Sequence, residues 1–222
     1  MMRGPGTRNR MPLLASLLLV VSTFSSALAQ ESQVLCCARF DYVLERTIFK
    51  VDAVHLELTV HGDTPDRVAR LVHGRADPRS SSDSVTALYL RADDAQVRMT
   101  FLRSFGLSRF LDANRDMMER LTRAGILSDE EFLMLDSENA DRFQVLALDG
   151  IRDGDVLEHE VRGDTVTTRY TDVTGALRIE EIQIGSEQRR VLMGSFFGPE
   201  SGFRKGLLDL VFSRAEAEGP GE

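Results

Sequence analysis

The sequence predicts an α+β fold in which a large antiparallel sheet is covered by helices. Strand-like segments come first, helical segments follow, and three more strands precede two final helices, an order typical of this class. The loops between consecutive strands are short, which favours hairpins over parallel crossovers. The composition, 42% hydrophobic and 28% charged, is that of a folded globular domain.

The N-terminus has the three-part pattern of a secretory signal peptide. Residues 3–10 are basic, residues 11–21 are almost entirely apolar, and the segment ends in Ala27-Leu28-Ala29. The apolar run of about 11 residues is shorter than the roughly 20 that a membrane span requires. We therefore expect residues 1–29 to be cleaved and the mature protein to be periplasmic or secreted, with no stable membrane insertion.

The remaining chain is expected to form a single domain over residues 30–214, followed by a disordered tail over residues 215–222. It contains no internal repeat and no long linker. The formal net charge of the whole chain is −8, and loss of the basic residues 1–29 makes the mature protein more acidic. Such a charge disfavours nucleic acid and anionic membranes as partners.

The first half of the domain alternates between strand-like and helical patterns. In the second strand the apolar face changes near Ala53, which indicates a bulge or a strong twist. Thr64-Pro65-Asp66 is a helix start, and a polar stretch after it indicates a loop. The predicted elements are strands at 34–44 and 48–60, a helix to His73, a loop at 74–84, and a hairpin of 85–91 with 96–103.

The second half begins with the strongest helical pattern in the chain. Apolar residues recur at helical spacing over 107–123, and Ser128 with Glu131 forms a capping box that opens another helix. A break near Ser137 is expected before a further helix that ends at Gly150. Turn residues then separate the last predicted elements, which are strands at 155–162, 165–172 and 176–184 and helices at 187–197 and 201–213.

No motif for a phosphate, a metal or a cofactor is present, so we expect none of these. The four histidines lack the spacing of a metal site. His159 alternates with Leu157 and Val161, which indicates a partnered histidine in the sheet more than a catalytic base. Asp52 lies in an apolar strand, where it is either a ligand or proton-transfer group or an ion-paired carboxylate.

The C-terminal stretch MGSFFGPESGFRKGLLDL carries three glycines in an otherwise helical, aromatic segment. One interpretation is close packing of a helix on the sheet. The other is that Ser195, Phe196 and Phe197 line a pocket.

Three segments resemble the chalcone isomerase-like proteins, in particular an exported bacterial branch of that family. They are RTIFKVDAVHLEL at 46–58, VRMTFLRSFGLSRFLDAN at 97–114 and VLMGSFFGPESGFRKGLLDL at 191–210. The resemblance implies an open-faced β-sandwich, a large antiparallel sheet covered by helices. It also implies a function, because plant members cyclise chalcones, others bind fatty acids, and some are reported to bind haem.

The family's catalytic polar set is largely replaced in this chain. The resemblance places Asp52 at a threonine position, Phe110 at a tyrosine position and Met117 at an asparagine position, and it retains only Ser195. The family arginine has no secure counterpart, since Arg39 and Arg46 are both offset. Phe and Met cannot hydrogen-bond a phenolate or an ordered water, so isomerase activity is not expected.

Three functions follow from this comparison. The first is an exported, non-catalytic protein that binds a small apolar ligand such as a fatty acid through Phe110, Met117, Ser195 and Asp52, with Phe196 and Phe197 in the lining. The second is an isomerase or intramolecular lyase with a remodelled site that uses Asp52 and Ser195. The third is an envelope interaction protein for which the fold is only a scaffold.

Overall fold

Alternating apolar side chains produce six strands that pair in chain order into one antiparallel sheet. The computed structural model describes residues 37–44, 54–73 and 75–217. The strands are β1 (Arg39–Leu44), β2 (Val54–Val60), β3 (Asp94–Phe101), β4 (Val156–Arg162), β5 (Thr165–Thr171) and β6 (Leu177–Ile184). The alternation is clearest in β2, where Val54, Leu56, Leu58 and Val60 are all buried on one face.

Helices cover that buried face of the sheet. They are α1 (Thr64–Val72), α2 (Ser82–Tyr89), α3 (Leu107–Arg123), α4 (Asp129–Phe143), α5 (Ser186–Phe197) and α6 (Arg204–Ala217). Short 3₁₀ turns, Pro78–Ser81 and Gln144–Leu146, precede α2 and follow α4. The arrangement confirms the predicted α+β class, an open antiparallel sheet with helices on one face.

Several predicted elements are confirmed to within a few residues. Helix α3 spans the predicted range, and α4 opens on the predicted capping box, in which the Ser128 hydroxyl accepts from the Glu131 amide at 3.2 Å. The last three strands and α5 also match. Helix α6 continues to Ala217, three residues beyond the expected domain end.

Three predictions of local structure are wrong. Residues 78–84, expected within a loop, form the 3₁₀ turn Pro78–Ser81 and the start of α2. Residues 85–91 are not the first strand of a hairpin, because Val85 and Tyr89 are both fully buried from successive turns of α2. A short apolar segment is compatible with a helix, which buries every fourth residue, as well as with a strand. The expected break near Ser137 is also absent, since α4 continues through that residue to Phe143. The bulge expected near Ala53 lies outside the described residues.

The apolar residues between sheet and helices form three clusters. The largest joins one end of the sheet to α1, α2, α5 and α6, and in it the ring of Tyr89 stacks on Phe197 at 4.2 Å. The second is aromatic and includes Phe101, Phe110 and Tyr170. The third joins α3 to α4 through Met118, among others. The candidate site lies where the three clusters meet.

Candidate functional site

A cavity of about 160 Å³ lies where the three apolar clusters meet, between the sheet and helices α3, α4 and α5. An apolar cavity of about 150 Å³ is large enough to admit benzene in another protein. Its apolar wall includes members of all three clusters. They are Leu44, Val54, Met99, Phe101, Phe110, Ala113, Met117, Met118, Leu135, Phe143, Leu157, Val166, Val191, Leu192, Phe196 and Phe203.

The structure brings three of the predicted site residues to this one cavity. Phe110 is 3% exposed and meets the ring of Phe143 edge-on at 4.6 Å. Met117 is half-buried two turns further along the same face of α3, and Ser195 approaches from α5. Asp52, the fourth predicted residue, lies outside the described residues. Whether these side chains bind a ligand stays a prediction.

The hydroxyl of Ser195 is directed back to its own helix. Its Oγ donates to the carbonyl oxygen of Leu192 at 2.6 Å, and the Ser195 carbonyl accepts from the Ser201 hydroxyl at 2.5 Å. Among the described residues, no histidine or carboxylate hydrogen-bonds this hydroxyl. That part of the chain therefore supplies no base to activate it as a nucleophile, and the hydroxyl contributes a weakly polar patch to the cavity wall.

Phe196 and Phe197 have separate roles, although the sequence suggested a shared one. Phe196 lines the cavity. Phe197 points into the largest cluster, where it stacks on Tyr89 and is fully buried. The helix glycines support the close-packing interpretation of this stretch, since a Cβ at Gly194 would lie 3.0 Å from the Leu121 side chain of α3. The close-packing interpretation therefore holds at the glycines, whereas Ser195 and Phe196 line the cavity and Phe197 does not.

The polar part of the cavity floor comes from the sheet and was not identified as a site from the sequence. His159 on β4 and Thr168 on β5 are paired across the two strands, and both line the cavity. His159 Nδ1 and Thr168 Oγ1 lie 2.9 Å apart and share a hydrogen bond. The sequence indicated a partnered sheet histidine, which is confirmed. Its cavity-facing position follows from its alternation with Leu157 and Val161.

Burial keeps the imidazole of His159 uncharged. The pKa of His159 falls from its ordinary 6.5 to about 4, because burial disfavours the charged form and because the nearby Arg142 guanidinium adds repulsion. At neutral pH the ring therefore has one N–H and one lone pair. The structure gives Nε2 no hydrogen-bond partner among the described residues.

Arg142, near the end of α4, supplies the charged group among the described residues of the wall. Its side chain is 12% exposed, and its Nε donates to Glu181 on β6. Its Nη2 lies 3.4 Å from the second oxygen of Glu181, and its Nη1 donates to Asn139 Oδ1 at 3.2 Å. The Glu181 side chain is more exposed, at 38%. The guanidinium is therefore held by an ion pair at the cavity wall.

Four amide side chains complete the polar part of the cavity wall. They are Asn114, Asn139, Gln183 and Gln188, each of them half-buried. Amides can donate and accept hydrogen bonds without carrying charge. They add uncharged polar groups to a wall that is otherwise mainly aromatic and aliphatic.

The described residues contain no cluster of three or more side chains that could hold a metal ion. In the same part of the chain, every helix is too short or too polar to cross a bilayer.

Comparison with known proteins identifies the fold. No protein-family model matches the chain, and no curated protein sequence matches it. A crystal structure of an Arabidopsis thaliana fatty-acid binding protein superposes with a TM-score of 0.54 at 12% identity, over 76% of this chain and 81% of that one. The chain therefore has a chalcone isomerase-like fold. At this identity the likeness concerns the fold alone.

Proposed function

We propose that the protein is a non-catalytic binder of a small, mainly apolar ligand, of the kind exemplified by a fatty acid or its uncharged derivatives. The observation that carries the proposal is the cavity of about 160 Å³ between sheet and helices. Natural interiors are close-packed, and voids larger than a water molecule are few. A cavity lined by Phe110, Phe143 and Phe196 is suited to an apolar ligand, because its walls offer dispersion contacts and little competition from water.

The fold and the polar groups support the same proposal. A fatty-acid binding protein shares this fold. The polar groups at one end of the cavity, His159 and Thr168, can hydrogen-bond the head of a ligand whose apolar body lies among the aromatic rings. Small-ligand sites are commonly apolar with a few polar groups that fix orientation. The isomerase alternative has less support, since the Ser195 hydroxyl donates to Leu192.

We also propose that the protein acts outside the cytoplasm. The support is the pattern of residues 1–29, which lie outside the described residues. The identity of the compartment and the nature of the ligand are independent, and each has its own test.

Ligand binding is tested with the purified protein and a variant in which the cavity is filled. Octanol and octanoate are added during thermal unfolding and during native mass spectrometry. A ligand at 100 times its Kd stabilises a protein by about 2.7 kcal/mol, which raises the Tm of a domain of this size by about 5–10 °C. We expect a rise of this order with at least one of the two probes, and a mass shift of one bound molecule.

Ala113→Leu is the filling variant, because Ala113 is buried on α3 and lines the cavity. The larger side chain occupies empty space, so the variant should fold and lose the ligand-induced rise in Tm. Ala87→Leu is the control, since Ala87 is exposed on α2, away from the cavity. If neither probe binds the wild type, or if Ala113→Leu binds them equally well, the proposal of a ligand in this cavity is wrong.

A further inference from the structure

The ionisable groups of the cavity wall are already balanced. Of the described residues that line it, only Arg142 and His159 are ionisable. Arg142 directs two of its nitrogens to the two carboxylate oxygens of Glu181. His159 is uncharged at neutral pH because burial and Arg142 lower its pKa. The described part of the wall therefore presents no uncompensated positive charge.

A carboxylate would be a poor head group in this setting. An anion that leaves water needs a cation or several donors to replace its hydration. To form the same two-point contact with Arg142 it would have to displace Glu181, and at any other N–H of the guanidinium it would lie beside that like charge. The free energy of binding would therefore include either the cost of breaking an existing ion pair or this repulsion.

An uncharged ligand oxygen matches the hydrogen-bonding position at Nε2 of His159. His159 Nδ1 is occupied by Thr168 Oγ1 at 2.9 Å, and Nε2 has no partner among the described residues. The threonine hydroxyl can donate or accept, so the neutral imidazole can place its N–H on either nitrogen. Nε2 can therefore accept from a ligand hydroxyl or donate to a ligand carbonyl.

We infer that the ligand is an apolar molecule with an uncharged oxygen at its head, an alcohol, a ketone or an ester, whose head group hydrogen-bonds His159 beside the Arg142–Glu181 ion pair. The inference rests on the proposed function and narrows its ligand class. It assigns Glu181 the role of a selectivity residue that excludes carboxylates by occupying the guanidinium.

The test compares octanol with octanoate near neutral pH by calorimetric titration of the wild type and of Glu181→Gln. For the wild type we expect octanol to bind at least about tenfold more tightly than octanoate, a difference of about 1.4 kcal/mol. In Glu181→Gln the guanidinium is released from its carboxylate, so octanoate should bind about tenfold more tightly than it does to the wild type. Octanol should bind with little change.

Glu180→Gln is the matched control. It makes the same change of charge at the next residue, but Glu180 lies on the opposite face of the sheet, where it accepts from Arg169 at 2.8 Å. Its affinities for octanol and for octanoate should equal those of the wild type. His159→Phe provides a second variant that keeps Glu181, and it should weaken octanol binding about tenfold by removing the partner of the head group.

The outcomes separate the two proposals. Binding of neither probe overturns the proposed function and this inference with it. Octanoate that binds the wild type as tightly as octanol leaves the proposed function standing and overturns the inference. Unchanged octanoate affinity in Glu181→Gln would also overturn the role assigned to Glu181.

Discussion

Asp155 connects the chain before β4 with the end of β5 from a buried position. It is 1% exposed, its Oδ2 accepts from the Arg152 amide at 2.7 Å and from the Tyr170 hydroxyl, and its Oδ1 accepts from the Val173 amide at 2.7 Å. Burial and the bond to Asp155 raise the pKa of Tyr170, so its hydroxyl stays protonated and donates. A buried carboxylate with three donors is fully satisfied and stabilises this end of the sheet.

Replacing Tyr170 by Phe should destabilise the fold measurably. The variant removes one of the three donors from a buried carboxylate, and hydrogen bonds to charged groups contribute about 1.5–3 kcal/mol. The free energy of unfolding in urea should fall by about that amount. Tyr42→Phe is the control, because Tyr42 is only half-buried and no hydrogen bond of its hydroxyl to another described residue is present. Equal losses in the two variants would contradict the role of Asp155.

His159 should make stability depend on pH in a defined range. The unfolded chain takes up a proton on this histidine near pH 6.5, whereas the folded protein does so only near pH 4. Between these values the unfolded state binds more protons, so the free energy of unfolding falls as the pH falls. The shift corresponds to a loss of about 3 kcal/mol between pH 6.5 and 4.

The measurement is urea unfolding of the wild type and of His159→Gln at several pH values. Glutamine cannot titrate, so the difference in stability between the two proteins should change by up to about 3 kcal/mol over this range. His61→Gln, at an exposed position, should parallel the wild type. If the difference in stability between the wild type and His159→Gln stays constant over this range, the pKa of His159 is not lowered in the folded protein.

Individual residues of the site were only partly predictable. Phe110 and Met117 could be identified as apolar residues of one helix face, and they do line the cavity. Arg142 could not, because it sits in a polar segment of α4 and its partner Glu181 is 39 residues away along the chain. Only the pairing of β5 with β6 and the packing of α4 on them bring the two together. Long-range ion pairs leave no local pattern in a sequence.

At the scale of elements, periodicity succeeded where one face of an element is buried over several turns. Helix α3 illustrates this, with Leu107, Phe110 and Leu121 buried at helical spacing. Helix α2 illustrates the failure, since its eight residues hold too few turns to distinguish a helix from a strand. Tertiary contacts decide such a segment. Tyr89 is fixed by a hydrogen bond from its hydroxyl to the Cys37 carbonyl at 3.0 Å and by stacking on Phe197.

The end of α5 requires glycine for close packing. A Cβ at Gly198 would lie 2.5 Å from the Gly194 carbonyl oxygen and 3.2 Å from the Leu121 side chain. The first of these contacts is with backbone, which cannot move aside without shifting the helix. Gly198→Ala should therefore destabilise the protein by about 1–3 kcal/mol, the usual cost of overpacking.

Thermal unfolding checks this prediction, with a loss of about 2–4 °C in Tm per kcal/mol. Gly202→Ala is the matched control four residues later, since a Cβ there meets nothing within 4 Å. Its Tm should stay close to that of the wild type. A similar Tm for both alanine variants would show that α5 can shift and that its packing on α3 is not tight.

At the scale of the molecule, the two faces of the sheet differ in chemistry. The face away from the helices carries ion pairs across neighbouring strands, among them Arg98 with Glu158, and Arg169 with Glu180 at 2.8 Å. Exposed pairs of this kind contribute little stability each. Their effect is to keep one face of an open sheet in water, so that most apolar residues of the inner strands pack toward the helices, whereas Val43, Ile182 and Ile184 on the two edge strands are exposed. The sequence predicts this asymmetry because β2, β3 and β5 alternate between apolar and polar residues.

The proposed export concerns the whole chain and can be tested directly. Residues 1–29, with a basic start, an apolar run and Ala27-Leu28-Ala29, predict cleavage after Ala29. Expression of the full chain in a bacterium should therefore yield an envelope protein whose mature N-terminus is Gln30, identified by intact mass and N-terminal sequencing.

Ala29→Arg is expected to block cleavage, because the position before the cut requires a small residue, and the precursor should accumulate at its full mass. Ala53→Arg makes the same change within the mature sequence and should leave processing unaffected. An envelope protein that retains Met1 in the wild type would contradict the prediction of a cleaved signal peptide.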